Sequence, residues 1–141
     1  MSIRIYYDTE NFRLRDSGRV RKFLDKVIRE NNKVPGDLKF IFTGDESLKS
    51  INIEFLNHDY YTDVITFDFC EEDVLNGEIY ISHERVAENA FNYKVSLKDE
   101  THRVMFHGIL HLLGYKDGSE EEKLVMRKAE EECLKRFGGE R

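Results

Sequence analysis

Cysteine is scarce in this chain, with two in 141 residues, and Cys70 and Cys133 lie far apart without a C-x-x-C spacing. A disulfide framework and a cysteine-based zinc site are excluded, and two free thiols are expected. No apolar run approaches the roughly 18 residues that a spanning helix needs. The greasiest stretch, Val104 to Tyr115, is interrupted by His107 and His111, so no membrane partner is expected. The N-terminus lacks a basic start followed by an apolar core of roughly 7–15 residues, so no secretory signal is read and a cytoplasmic location is expected. Internal repeats, low-complexity tracts and linkers are missing as well, and residues 1–141 are expected to form one domain. A chain of this length buries roughly 68–70% of the surface that it exposes unfolded, so it folds without a disulfide or a metal. A metal, if held, therefore points to function.

Positive charge is lacking over a whole segment. Between Thr62 and Ser82 there are six acids and no Lys or Arg, and the net charge of the chain is −6. A generic nucleic-acid binder is basic overall, so any contact with RNA requires a local basic face. The segment from Asn11 to Lys33 supplies one candidate: eight bases against three acids give it +5 and leave −11 for the remainder. The same bases are equally explained as the solvated side of an amphipathic helix.

Periodicity gives an alternating pattern. Ile3, Ile5 and Tyr7 alternate with Arg4 and Tyr6 as in an edge strand, and Val20, Phe23, Leu24, Val27 and Ile28 follow helical spacing. Asn31-Asn32 ends that helix, Pro35-Gly36 is read as a turn, and Leu38 to Thr43 as a strand. Asp45 is expected to cap a helix carrying Leu48, Ile51 and Phe55. Asp63 to Phe69 and Gly77 to Ser82 are expected to be paired strands joined by an acidic loop around Glu71 to Asn76. Three helices follow, near His83 to Tyr93, Leu97 to Gly114 and Ser119 to Phe137. Ser119 and Glu122 have capping-box spacing, and Gly138-Gly139 is read as the stop. The expected fold is an α+β layer architecture, about four mixed strands packed against about five helices.

Histidine is also rare, at five residues, yet two stand four apart on the most apolar helix: His107-Gly108-Ile109-Leu110-His111. That spacing puts both imidazoles on one helical face, close enough to share a metal ion. Gly114 can release the chain from helical geometry so that Asp117 turns back toward the same ion. His-x3-His-x2-Gly-x2-Asp supplies the three His and carboxylate ligands usual in catalytic zinc sites, with a fourth position open. Two alternatives stay open: the histidines are hydrogen-bonded core residues, and Asp117 merely caps the next helix. Zinc proteases with this spacing carry a glutamate directly after the first histidine, as the base. That position is Gly108, and no acid lies between Thr101 and Gly114. Peptide hydrolysis by that route is excluded, whereas metal-assisted phosphodiester cleavage is not.

The run His107-Gly-Ile-Leu-His111-Leu-Leu-Gly-Tyr-Lys-Asp117 resembles the signature of the YbeY family, bacterial single-strand-specific endoribonucleases and ribosomal RNA maturation factors. Thr62-Asp63-Val64-Ile65-Thr66-Phe67 is similar to that family's Thr-Asp-Val-Leu-Ser-Phe strand, and Gly77-Glu78-Ile79 to its Gly-Asp-Ile strand. Asn52, Asp59, Met126 and Glu130 also fall where the family has like residues, so the likeness spans about Ile51 to Phe137. The resemblance implies a nuclease with one zinc ion per chain, held by His107, His111 and Asp117 as metal and catalytic residues. It implies action on single-stranded RNA, in maturation of the 3′ end of the small-subunit ribosomal RNA and in ribosome quality control. Ribosomal RNA and the small ribosomal subunit are then the partners, and DNA is not. This chain departs from the pattern at Asp117, where the family's third ligand is usually histidine, at Lys116, where aspartate is common, and at Leu56, where an arginine is common. Arg103 and Lys94 are candidates to replace that arginine. Two further readings stand beside the nuclease: a non-catalytic, metal-containing ribosome-assembly or RNA-binding factor, and a metal hydrolase of a small substrate.

Overall fold

The computed structural model describes residues 3–139. Nine elements follow in order: β1 (Ile3–Tyr7), α1 (Ser17–Glu30), β2 (Val34–Thr43), α2 (Asp45–Leu56), β3 (Val64–Asp68), β4 (Val74–Ser82), α3 (His83–Tyr93), α4 (Leu97–Leu112) and α5 (Glu120–Gly139). The expected α+β class holds. The sheet has the order β1-β2-β4-β3, with β1, β2 and β4 parallel and β3 antiparallel on the far edge. Alternation along the strands sends Ile3, Leu38, Phe40, Phe42, Ile79 and Ile81 into the core. The register Val64↔Ile81 and Thr66↔Ile79 puts Val64 and Thr66 on that same face.

Helix α1 meets this face with the stripe read from its spacing: Val20, Phe23, Leu24, Val27 and Ile28 are all buried. Helix α4 is the central element, packed against α1, α3, α5, β3 and β4. It therefore buries residues nearly all round, including Val104, Met105, Phe106, Gly108, Ile109 and Leu110.

Several expectations are corrected. Pro35-Gly36 is no turn but part of β2, at a register irregularity where the chain tolerates a residue without an N–H. The reversal lies before it, at Asn31-Asn32, with Asn32 left-handed at φ 61°. Strand β4 starts at Val74, which shortens the acidic loop. Asp45 does not cap α2. Gly44 holds the cap position, and the Asp45 carboxylate instead accepts from Ser82 Oγ at 2.9 Å and Arg85 Nη2 at 2.7 Å. The Ser119–Glu122 capping box forms in both directions, at 2.9 and 3.1 Å, but α5 runs on through Gly138-Gly139.

The seat of α4 on the sheet is Gly108. A Cβ there would lie 2.8 and 2.9 Å from Ile79 side-chain atoms, and Ile79 is itself buried. No glutamate fits after His107 because the helix touches the sheet there. Gly108→Ala is expected to lower stability by about 1 kcal/mol in urea unfolding, since overpacking costs about 1–3 kcal/mol and exceeds the helix-propensity gain of about 1 kcal/mol. Ile79→Ala removes all three crowding atoms, so the double variant should lose less than the sum of the two single changes; an additive double variant contradicts the contact.

His102, also on α4, is 2% exposed. Its ring packs edge-on against Phe137 at 4.8 Å, with Nε2 at 3.3 Å from Asp16 Oδ1. Burial pushes the imidazole below its ordinary 6.5, and Asp16 opposes this only in part. With the folded value depressed, the unfolded chain binds more protons, so stability is lost as pH falls below about 6.5. From about pH 7.5 to about pH 5.5, the wild type is expected to lose more stability than His102→Gln, by no more than about 1.4 kcal/mol per pH unit. Equal slopes in denaturant titrations refute this.

Candidate metal centre

The last two turns of α4 carry His107 and His111 on one face, with ring centroids 4.6 Å apart. The helix ends at Leu112, and two residues on stands Gly114, whose φ of +105° lies in the left-handed region that side chains rarely adopt. From there the chain folds back over the helix end: Tyr115 N–H donates to the Leu110 carbonyl at 3.0 Å. Asp117 is thereby brought to the histidines. Its Oδ2 lies 3.5 Å from His107 Nε2 and 3.3 Å from His111 Nε2. The three residues proposed from spacing do converge.

The hydrogen bonds of the other ring nitrogens decide what the convergent atoms are. His111 Nδ1 lies 3.1 Å from the Tyr115 carbonyl, which can only accept, so Nδ1 carries a hydrogen and Nε2 is the atom turned to Asp117. His107 Nδ1 lies 2.5 Å from Glu130 Oε2. Burial by itself raises the Glu130 carboxyl, but hydrogen bonds from His107 and Arg103, with the Arg103 charge, hold it below the usual carboxylate range. An ionised Glu130 again places a hydrogen on Nδ1 and leaves Nε2 as the atom turned to Asp117. Two ring nitrogens and a carboxylate oxygen thus face one another, a donor set that a bound cation would satisfy. Zinc with ligands at about 2.0–2.1 Å in tetrahedral geometry places neighbouring donors about 3.3–3.4 Å apart, close to the 3.5 and 3.3 Å that separate Asp117 Oδ2 from the two rings. The donor set fits a zinc-type ion with an open fourth position.

Glu130 takes its role from the tertiary fold. It comes from α5, and its side chain is 4% exposed. A signal existed, because the buried stripe of α5 reads Met126, Glu130, Cys133, Phe137, and a glutamate in an apolar stripe requires partners. Arg103 is one: it donates to Glu130 Oε1 at 3.0 Å and bidentately to Glu100 at 2.6 and 2.9 Å. Asp63 Oδ2 lies 3.7 Å away. Burial chiefly raises the Asp63 carboxyl, against the pull of Arg103 and His107. With three carboxylates around it, Arg103 is committed and does not replace the arginine absent at Leu56. Lys94 is the left-handed cap of α3 and does not line the cleft beside the centre.

That cleft, of about 440 Å³, runs from His107, His111 and Asp117 across Asp63 and Thr66 to Asn52, Leu56, His58 and Tyr60. Among the described residues its lining holds no Lys or Arg and nothing from α1. The basic helix is thus not a wall of it. Arg19 of α1 donates to the Phe137 carbonyl at 2.8 Å and lies over the Phe137 ring. On the other side of His107 and Asp117, a second groove along α5 carries Lys123 and Arg127. No helix of the described residues is long and apolar enough to cross a membrane.

Glu130→Gln is expected to weaken zinc binding by about 10–100-fold in chelator competition, since it removes the anion that orients His107. Unchanged affinity shows that the Nδ1 contact is incidental.

The profile of the family described as Endoribonuclease YbeY matches residues 5–138. Curated relatives of that name include one from Flavobacterium psychrophilum, 46% identical over 90% of this chain and 91% of its own length. Another, from Christiangramia forsetii, is 44% identical over 94% and 92%. The solution structure of a Thermotoga maritima protein superposes with a TM-score of 0.71 at 27% identity, covering 98% of this chain and 90% of that one. With the fold, the matched span and relatives of near-equal length in agreement, this chain belongs to the YbeY family of endoribonucleases, hydrolases that cut RNA.

Proposed function

We propose that the chain is a zinc-dependent, single-strand-specific endoribonuclease, acting as one domain over residues 1–141, with His107, His111 and Asp117 as its metal-binding and catalytic residues. The observation that carries this is the convergence of two imidazole Nε2 atoms and one carboxylate oxygen beside an open cleft. Nitrogen and carboxylate donors in a three-ligand set favour zinc over the harder ions. Bound zinc supplies Lewis acidity toward a phosphoryl oxygen and toward water. The chain's own residues do the rest. Glu130 and the Tyr115 carbonyl hold the two rings in their tautomers, and Gly114 returns the carboxylate. In the second groove, whose lining balances Arg103, Lys123 and Arg127 against Asp117, Glu120 and Glu130, Lys123 and Arg127 are the cations offered to a phosphate backbone.

The cellular role follows the resemblance: maturation of the 3′ end of the small-subunit ribosomal RNA and ribosome quality control, in the cytoplasm, with ribosomal RNA and the small subunit as partners.

The test is to incubate zinc-loaded protein with labelled single-stranded RNA, duplex RNA and single-stranded DNA. Cleavage is expected of the first alone, abolished by chelator and in His111→Ala. RNA that is bound but never cut would establish the non-catalytic reading instead. Asp117→His is expected to keep zinc bound and raise cleavage severalfold, because a neutral ligand leaves more charge on the ion. A severalfold fall with zinc content unchanged would assign Asp117 a role as base.

A further inference from the structure

The cleft poses a problem for an RNA substrate, since the part that runs from Asp117 toward α2 contains Asp63, Asp68 and Asp117 and no Lys or Arg. Phosphate attraction cannot hold the strand there. Stacking can, because it draws on the face of a base and not on charge. Tyr60 is the aromatic residue placed for it: it is 54% exposed and lines the cleft. His58 lies parallel to it, with centroids 5.2 Å apart at 17°, and its Nδ1 is 3.0 Å from the Tyr60 hydroxyl.

The loop that carries the pair is braced by one buried residue, Asn52. Asn57 ends α2 in the left-handed conformation at φ 57°. The Asn52 carbonyl then accepts from His58 N–H at 3.1 Å, and Asn52 Nδ2 donates to the Tyr60 carbonyl at 3.1 Å. Asn52 is 2% exposed, so both ends of the loop are fixed before any ligand arrives, which lowers the ordering cost of binding. The neighbouring rings are already engaged. Tyr61 donates to Glu46 at 2.5 Å and carries Lys49 and Arg85 over its face, and Phe55, Phe67 and Tyr80 pack on one another.

Resting on the nuclease reading, we infer that the stacked His58–Tyr60 pair is a base-binding subsite, on which an unpaired base of the RNA stacks while the backbone crosses the metal centre toward Lys123 and Arg127. A paired base has both faces covered within its helix and cannot use this wall. The subsite therefore supplies single-strand preference by shape.

Binding of a short labelled single-stranded 2′-O-methyl RNA to zinc-loaded protein, followed by anisotropy with its integrity checked on a gel, tests this. Tyr60→Leu is expected to raise Kd about tenfold, the size of one lost stack, and Tyr60→Trp to restore it. The salt dependence of log Kd should be unchanged in Tyr60→Leu, whereas Lys123→Gln with Arg127→Gln flattens it. KM for cleavable RNA should rise with Kd in Tyr60→Leu. Wild-type affinity in Tyr60→Leu, or no rescue by Trp in a variant of normal melting temperature and zinc content, overturns the subsite while leaving the nuclease intact. Tyr60-dependent binding of cleavable RNA without cleavage overturns the nuclease reading and leaves the subsite standing.

Discussion

The site depends on one buried carboxylate. Glu130 reaches from α5 into the interface with α4 and accepts from Arg103 through one oxygen and from His107 through the other. Removing a charged partner from a buried pair leaves the other uncompensated, a loss of several kcal/mol by general experience. The packing of the two helices and the tautomer of a candidate ligand are therefore set by the same atoms. Arg103 is in turn neutralised by Glu100 as well, so the network contributes order to the centre without lending it positive charge.

Electrostatics then divides the surroundings of the centre in two. The lining on the α2 side has acids and no Lys or Arg, whereas on the α5 side Arg103, Lys123 and Arg127 stand against Glu120 and Glu130. An acidic protein can hold a polyanion under this arrangement, because charge is needed along the backbone path and not where bases are received. The basic helix α1 is spent differently: Arg19 packs on Phe137 and Arg29 pairs with Asp25 at 2.6 Å. These two bases fasten the helix, and none of its residues lines the cleft.

Much of this was legible in the residues because periodicity and spacing are local signals. The stripe on α1, the alternation in β3 and β4, and the i,i+4 histidines with a glycine turn all appear as read, since each depends on neighbours a few positions away. Pro35-Gly36 misled because a proline usually punctuates, whereas here the ladder is irregular and no N–H is needed. Asp45 misled because a distant arginine, Arg85, outbid the local amides for its carboxylate. The roles of Glu130 and of the Asn52-braced loop were hidden for a similar reason. Each is defined by a partner that only the tertiary fold brings near. Gly108 illustrates the reverse: its lack of a side chain excluded protease chemistry on sequence, and the close approach of Ile79 gives the cause.

The order of these residues along the chain has a bearing on synthesis. Both histidines precede Asp117, and Glu130 comes from the final helix. A growing polypeptide therefore presents its sheet and both histidines of α4 before the third donor, and the brace on His107 follows later still, so the centre is assembled from the sheet outward.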